Sequence, residues 1–364
     1  MVYKLIAANQ DLSVLSTRSP IQETTDLKAQ REILTLWNLV RSHVGHPAPE
    51  FLTASRSTLS ALQESKDRVV QRGIAHCLLS LYGNCQTHAE LLTPGLQILI
   101  AIQDTPDLAA QRAIADCLHL LSQNHENHPE LRTTGLQILS ALKEIKDPEA
   151  QREIQATTDP YAQRGITGCL FELSQYHANH PVLRTHGLPI LSAIQETTDP
   201  DTQAMIAGCL RYLSPYSKNY PALLITGMPI LSAIQATTNT SAKREIAGCL
   251  LELFQDSNNH TQLMTMGLPI LSALKETKDP EVQKTIRDCL IYLFENDQIP
   301  EALPSLLKTG LPILSAILQT ADYEVKWSIG TCLRNLAKNT KTHDVLRANN
   351  LEHYIPEGNE TPPA

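Results

Sequence analysis

Residues 267–290 read GLPILSALKETKDPEVQKTIRDCL. The stretch contains the start of one predicted helix, and the N-cap and first apolar residues of the next. Pro269 suits the first turn of a helix, where its missing N–H costs no hydrogen bond. Asp279 followed by Pro280 is a typical N-cap and first helical residue. Apolar residues then recur at the spacing of one helical face, at Val282, Ile286, Cys289, Leu290, Leu293 and Phe294. The stretch predicts helices over residues 268–276 and 280–295.

A short helix is also predicted just before this stretch, over residues 261–266. Gly267 follows it, and a glycine in the left-handed conformation commonly ends a helix. One unit of the chain therefore reads as a short first helix, a second helix and a longer third helix.

Two sequence markers repeat this unit along the chain. A phrase of the type GLPIL or GLQIL recurs in steps of 40, 52, 40, 40 and 43 residues; it begins at Gly95, Gly135, Gly187, Gly227, Gly267 and Gly310. A second marker, Asp or Asn, recurs in steps of 40, 40, 52, 40, 40 and 43 residues at Asp67, Asp107, Asp147, Asp199, Asn239, Asp279 and Asp322. A Cys-Leu pair follows the marker ten residues on, except in the unit of Asp147, where Cys169-Leu170 stands ten residues after Asp159. Two markers in register indicate a chain built from copies of one unit.

The phrases at Gly267, Asp279 and Cys289 resemble the armadillo repeat, and the resemblance extends over about residues 20–350. It implies an all-α, armadillo-like, right-handed α-solenoid with three helices per repeat of roughly 40 residues and about eight repeats. It also implies that the third helices line a concave groove. HEAT repeats are the nearest alternative, but they lack a separate first helix ended by glycine.

The repeats predict three regions: an N-terminal capping repeat over 1–54, an armadillo-like array over 55–341, and a C-terminal cap with a disordered tail over 342–364. Trp37 replaces the leucine of the Cys-Leu pair in the first cap, and Asn349 and Asn350 stand in the last cap where glycine is expected. Residues 149–160 are a 12-residue insertion that repeats the phrase before it. Slippage during duplication explains the insertion, and a protruding turn that contacts a partner is the alternative.

Composition argues against several classes of partner. The net charge is -8, so an anionic membrane or a nucleic-acid backbone is a poor main partner. Aromatic residues make up 4% of the chain and apolar residues 42%, which predicts a core of Leu, Ile, Ala and Cys. No stretch reaches the roughly 18 apolar residues of a membrane span, and the N-terminal apolar run is too short for a signal peptide. We therefore expect an intracellular, most simply cytoplasmic, protein.

The cysteines and histidines predict packing and capping rather than chemistry. Seven of the eight cysteines share one repeat position on the apolar face, where Cys packs as a small hydrophobe, while Cys85 falls in a loop. His128, His180 and His260 share a position with Tyr220 at the start of the first helix, and a metal-ligand position would not accept Tyr. Because no phosphate loop, nucleophile elbow or paired Cys motif is present, we predict no catalytic residue, no metal site, no cofactor and no enzyme activity.

Three columns of residues on the third helices face away from the predicted core, at 100° per residue. The first column holds Arg31, Arg72, Arg112, Arg164, Ala204, Arg244, Lys284 and Trp327. The second holds Thr35, His76, Asp116, Gly168, Gly208, Gly248, Asp288 and Thr331. The third holds Leu39, Ser80, Leu120, Glu172, Tyr212, Glu252, Tyr292 and Asn335.

The first column is basic in six of eight units and predicts contacts with the carboxylates or carbonyl groups of a partner. Neutralisation by nearby Asp and Glu is the alternative. In nuclear import receptors of the importin alpha type, which resemble this family, Trp fills the second column and Asn the third. Here only Asn335 matches, so basic nuclear-localisation signals are expected to bind poorly. Gly168, Gly208 and Gly248 predict a bare groove floor, and Phe171 and Tyr176 predict stacking surface near Tyr212.

The sequence thus predicts a protein-protein interaction scaffold or adaptor that holds an extended or helical partner segment in the groove. A transport receptor or nucleic-acid-binding solenoid that uses the basic column is the alternative. The predicted partner-binding residues are Arg72, Arg112, Asp116, Arg164, Glu172, Tyr212, Arg244, Glu252, Lys284, Asp288, Tyr292 and Asn335. The partner is expected to be a protein or peptide, and an acidic segment is the variant that the basic column favours. The sequence does not set the oligomeric state.

Overall fold

The computed structural model describes residues 26–42, 49–83, 88–144, 160–216, 220–294 and 303–356. Within these ranges the regular structure is helical and no strand occurs, which confirms the all-α prediction. The chain divides into two compact units, Met1–Thr197 and Thr198–Ala364. The finer division into caps and array stays a prediction.

Among the described residues, the first unit contains four long helices in third-helix positions, and either one helix or two shorter helices stand between consecutive ones. Its helices are α1 (Asp26–Ser42), α2 (Pro49–Leu62), α3 (Arg68–Tyr82), α4 (His88–Ile102), α5 (Leu108–Ser122), α6 (His128–Glu130), α7 (Leu136–Glu144), α8 (Pro160–Ser174), α9 (His180–Val182) and α10 (Leu188–Ala193). The third helices α1, α3, α5 and α8 pack on one another in that order.

The second unit repeats this arrangement. Its helices are α11 (Pro200–Leu213), α12 (Tyr220–Ala222), α13 (Met228–Ile234), α14 (Thr240–Phe254), α15 (His260–Leu274), α16 (Pro280–Phe294), α17 (Leu303–Thr320), α18 (Tyr323–Ala337) and α19 (His343–Ala348). The third helices α11, α14, α16 and α18 pack in sequence. Their inner faces are Leu, Ile, Ala and Cys with almost no exposure, as the composition predicts.

The third helices begin where the Asp marker predicts. Asp279 accepts a hydrogen bond from the backbone N–H of Val282 at 3.1 Å, and α16 follows as Pro280–Phe294. The same N-cap bond forms at Asp67, Asp107, Asp199, Asn239 and Asp322. The side chain satisfies one of the N–H groups that a helix leaves unpaired at its start.

The glycine marker has a different role from the predicted one. The prediction that Gly267 ends a helix in the left-handed conformation is wrong, because α15 runs through Gly267 without a positive φ. In three other repeats a single π turn ends at the glycine and leads directly into the second helix; these turns are Leu131–Gly135, Leu183–Gly187 and Leu223–Gly227. A Cβ on Gly267 would lie 3.1 Å from Cζ of Phe254 on α14. Glycine here allows close packing against the preceding third helix.

The left-handed helix end occurs instead at the C-terminal cap. Asn350 has φ 60, and no other described non-glycine residue has a positive φ. The N–H of Leu351 donates to Leu346 O at 3.0 Å and that of Asn350 to Arg347 O at 3.1 Å. These two bonds form a Schellman motif, for which Asn is the usual substitute for glycine.

Several predictions lie outside the described residues. They concern Cys85, the insertion up to residue 159 and the tail from residue 357. These predictions stay as stated.

Candidate partner-binding surface

The predicted outward positions of α16 lie outside the core. Lys284 is exposed, Tyr292 is 44% exposed and Asp288 is half-buried, whereas Val282 and Ile286 on the same helix are fully buried. The helix therefore buries one face and leaves the other uncovered, as its apolar spacing predicts.

Exposed apolar side chains concentrate on the third helices. Of the 11 large apolar side chains that are exposed among the described residues, eight lie there: Leu34, Val69, Leu108, Tyr161, Tyr212, Tyr292, Tyr323 and Trp327. We take the second-column residue of each third helix as the outward direction and count 100° per residue. Five of the eight side chains then point within about 40° of that direction; these are Val69, Tyr161, Tyr212, Tyr292 and Trp327. These five side chains therefore lie on helix faces that the core leaves uncovered.

Two arginines of the first column make ion pairs with the N-cap of the next third helix. In the first unit, Arg72 Nε lies 3.0 Å from Asp107 Oδ1, and Nη2 also donates to this carboxylate. In the second unit, Arg244 Nε and Nη2 lie 3.1 and 2.6 Å from Asp279 Oδ2. At these two positions the arginine is therefore paired with a nearby Asp, which is the alternative that the sequence left open for the basic column.

The pKa values agree with these ion pairs. Burial alone would raise the pKa of Asp107, but hydrogen bonds from Arg72 and from the N–H of Ala110 outweigh it and lower the pKa. The hydrogen bond from Arg244 lowers the pKa of Asp279 despite partial burial. Both carboxylates are therefore ionised at neutral pH.

In one repeat of the second unit, both residues of this ion pair are replaced by uncharged ones. Where the first column has Ala204, the residue 35 positions later is Asn239, which still caps its helix through Oδ1 but carries no charge. Lys284 is followed by a longer connection to α18, and it has no hydrogen bond or ion pair with any described residue.

The cations of these pairs lie further out than the anions. The side chain of Arg72 is 46% exposed against 6% for Asp107, and that of Arg244 is 54% exposed against 9% for Asp279. A molecule that approaches the third helices therefore meets guanidinium groups first, with the carboxylates behind them.

The remaining predicted residues divide between the two units. In the first unit, Arg112 lies over the ring of Tyr161 at 4.9 Å from its centroid, which is cation–π geometry. Arg164 is exposed, and Asp116 and Glu172 are half-buried. These residues lie on the adjacent helices α3, α5 and α8 together with Arg72.

In the second unit, Asp288 is bound by its neighbour Arg287, whose Nη2 lies 2.7 Å from Oδ1. Asn335 is exposed and accepts a bond from Lys338 at 3.1 Å. Tyr212 and Glu252 lie on α11 and α14, Lys284 and Tyr292 on α16, and Asn335 on α18.

The predicted bare floor of the groove is wrong at both glycines whose surroundings the structure gives. The place of a Cβ on Gly168 is taken by the ring of His119, whose Nδ1 lies 2.6 Å away. That of a Cβ on Gly248 is taken by the guanidinium of Arg211, whose Cζ lies 2.6 Å away. Gly208 is likewise buried.

His119 and Arg211 were missed because each column was read along one helix at a time. Both stand seven residues after the first column of their own helix, and each reaches across to the next third helix. The signal that could have found them is the pairing of a large residue in one repeat with glycine in the next.

Comparisons with known proteins bear on the fold. No protein-family model and no curated protein sequence matches the chain. Among solved structures, one from work on a phosphorylation switch in the interaction between cadherin and beta-catenin has a TM-score of 0.58 at 16% identity, over 94% of this chain and 63% of that one. UNC-45 from Drosophila melanogaster gives 0.52 at 13%, over 94% and 48%. Computationally designed armadillo repeat proteins for modular peptide recognition give 0.51 at 14%, over 65% and 98%.

The fold is armadillo-like. This chain spans less than two thirds of the first two of these structures. At these identities the likeness concerns the fold alone.

The histidines that recur at one position of the armadillo-like repeats cap the third helices. His128 Nε2 lies 2.8 Å from Ser122 O, and the same bond joins His180 to Ser174, His260 to Phe254 and His343 to Ala337. The residue before each histidine bonds the preceding carbonyl, as Asn127 Nδ2 does to Leu121 O at 2.9 Å. This confirms the predicted role at a turn, and no group of three metal-ligating side chains occurs in the described part of the chain.

Tyr176 belongs to this turn. Its ring stacks on His125 at 6.0 Å and meets the edge of His128 at 4.7 Å. Tyr176 was predicted to offer stacking surface near Tyr212 together with Phe171. Its ring instead packs against the turn of the preceding armadillo-like repeat.

The seven cysteines of the armadillo-like ladder are buried free thiols, as predicted. Burial raises the pKa of Cys77, Cys169 and Cys249 to about 12, so these thiols stay protonated. Across the described residues, no helix is long and apolar enough to cross a bilayer.

Proposed function

We propose that this protein is a non-catalytic interaction scaffold of the cytoplasm that binds an extended segment of another protein along its third helices. The observation that carries the proposal is the concentration of exposed apolar side chains on those helices. Tyr212, Tyr292 and Trp327 offer the large rigid contact area that dominates binding energy at protein interfaces. The armadillo-like fold supports it, since designed proteins of this fold are made for peptide recognition.

The partner segment is acidic. Arg72 and Arg244 are ion-paired, but each pair presents its guanidinium to the solvent and keeps its carboxylate almost buried, in a protein whose net charge is negative. Lys284 adds a cation without a partner among the described residues. Electrostatic complementarity of this kind favours a negatively charged ligand.

Peptide selection tests the proposal. A library of random 12-residue peptides is displayed and panned against the full chain, and enriched peptides are synthesised for fluorescence anisotropy. We expect enriched peptides whose affinity falls by about tenfold or more when Tyr212, Tyr292 and Trp327 are changed to Ala. The matched control changes Ile225, which is 73% exposed but lies outside the third helices. No enrichment, or an equal loss in the Ile225→Ala control, would reject the scaffold function.

Charge reversal tests the sign of the ligand. Arg112→Glu with Arg164→Glu is expected to abolish binding of acidic peptides. A salt series on the same peptides addresses the nucleic-acid alternative, because phosphate neutralisation produces a steep dependence on salt. Tight, steeply salt-dependent binding of single-stranded DNA would favour that alternative over the scaffold.

A further inference from the structure

Arg211 has an unusual position in the second unit. Its side chain leaves α11 and lies across α14 at Gly248, where Nε is 3.0 Å and Cζ 2.6 Å from the place of a Cβ. Any side chain larger than hydrogen at residue 248 would displace the guanidinium. Gly248 therefore leaves the space in which the Arg211 guanidinium lies against α14.

The hydrogen-bonding capacity of Arg211 is unused. A guanidinium has five N–H donors, yet among the described residues Arg211 makes no side-chain hydrogen bond. Its charged contact is with Glu252, whose Oε1 lies 3.9 Å from Nη1. That distance is too long for a hydrogen bond. The side chain is 36% exposed, so a ligand can reach it.

We propose that Arg211 is an anchor that binds the side-chain carboxylate of an Asp or Glu in the partner segment. The proposal rests on the proposed function and names one contact within it. A planar guanidinium whose N–H groups make no hydrogen bond to the described residues matches a carboxylate in a bidentate pair.

The charges around Arg211 set the direction of approach. Arg244 lies one helical turn before Gly248 on the outward face of α14, and its own carboxylate partner is almost buried. Glu252 lies one turn after Gly248 and repels a second carboxylate. A ligand carboxylate is therefore favoured on the Arg244 side of Arg211 and disfavoured on the Glu252 side.

The test combines peptide selection with a double-mutant cycle. An enriched 12-residue peptide is synthesised with Glu or Gln at its most strongly selected acidic position, and both forms are measured against the full-length wild type and Arg211→Gln. We expect the Gln peptide to bind about tenfold more weakly to wild type and less than about twofold more weakly to Arg211→Gln. Arg347→Gln, which removes the same charge from α19, should behave like wild type.

Gly248→Ala provides a second variant that keeps every charge. The added Cβ displaces the guanidinium, so the preference for Glu over Gln should fall as it does in Arg211→Gln. Thermal unfolding of each variant checks that the fold is kept. If the preference survives in Arg211→Gln, the anchor is wrong while the scaffold stands. If wild type enriches peptides with no acidic preference, the anchor is also wrong; if it enriches none, both proposals fail.

Discussion

The side-chain amide of Asn179 lies 3.1 Å from Nδ1 of His128, and the same amide nitrogen bonds Leu173 O at 2.8 Å. Asn179 thereby caps its own third helix and bonds the turn of the preceding repeat. The histidine that receives this bond uses Nε2 to cap the third helix before it. Adjacent repeats are thus joined through buried polar groups as well as through apolar packing.

Removal of this amide should be costly. Asn179→Ala leaves His128 Nδ1 without this donor in a buried site and Leu173 O with only the long bond from the N–H of Tyr176 at 3.4 Å. The free energy of unfolding should therefore fall by about 1–3 kcal/mol. The matched control is Asn258→Ala on the equivalent turn of the second unit, where the exposed side chain bonds only the nearby Asp256 among the described residues. Its effect should be below about 0.5 kcal/mol. Urea unfolding of both variants measures the difference.

Acid should destabilise the repeats before any carboxylate titrates. Burial lowers the pKa of His128 and His180, outweighing the hydrogen bonds with Ser122 O and Ser174 O that favour the charged form. In the unfolded chain the histidines have a pKa of about 6.5. As pH falls through this value, the unfolded chain therefore binds more protons than the native state does. The contribution of the neutral histidines to the free energy of unfolding is fully present above pH about 6.5, and it decreases as pH drops towards their folded pKa values. Urea midpoints at pH 7.5, 6.5 and 5.5 should decrease in that order, with a shallower slope in the double variant His128→Gln and His180→Gln.

The N-cap Asp of α5 has two functions that substitution can separate. Asp107→Asn keeps an acceptor for Ala110 but loses the charge that Arg72 binds, and the cost should stay below about 1 kcal/mol because Arg72 is half-exposed. Asp107→Ala also removes the cap and should cost about 1 kcal/mol more. In an Arg72→Ala background the Asn variant should cost nothing further. An undiminished cost in that background would mean that the ion pair contributes no stability.

The fold was predictable from the sequence because its signals are local and repeated. The Asp279 N-cap and the apolar spacing after Pro280 set α16 to within one residue of its observed end. The glycine marker was misread because two physical reasons for glycine, a left-handed turn and close packing, look identical in one sequence. Only the position of Phe254 on the neighbouring helix decides between them.

The candidate surface was predictable in its orientation but not in its contacts. Helical geometry alone places Lys284 and Tyr292 away from the core. The pairing of Arg72 with Asp107 spans 35 residues and depends on how adjacent third helices pack. Arg211 covers Gly248 because of the same packing between adjacent third helices. The residue spacing within a single helix gives no information on such contacts.

Two glycines should respond to the same substitution in opposite directions. A Cβ on Gly165 would lie 2.8 Å from Ala115 Cβ and 2.9 Å from its backbone carbonyl carbon, so α8 and α5 must separate. Gly165→Ala should destabilise by about 1–3 kcal/mol. Gly83 has φ -61 and only ordinary contacts at 3.5 Å or more. Gly83→Ala should be neutral or stabilise by about 0.4–1 kcal/mol, since alanine restricts the unfolded chain. Thermal and urea unfolding of the pair test this.

Thiol labelling reports on the stacked repeats directly. Seven cysteines are buried free thiols, and the raised pKa of about 12 at Cys77 and Cys249 keeps them unreactive at neutral pH. Native protein should therefore react with a thiol reagent at one fast site, the predicted loop residue Cys85, and at all eight thiols in urea. Cys85→Ser should remove the fast reaction and leave the unfolding midpoint unchanged. Rapid native labelling in Cys85→Ser would show that a ladder cysteine is open to solvent, which contradicts the packed interior.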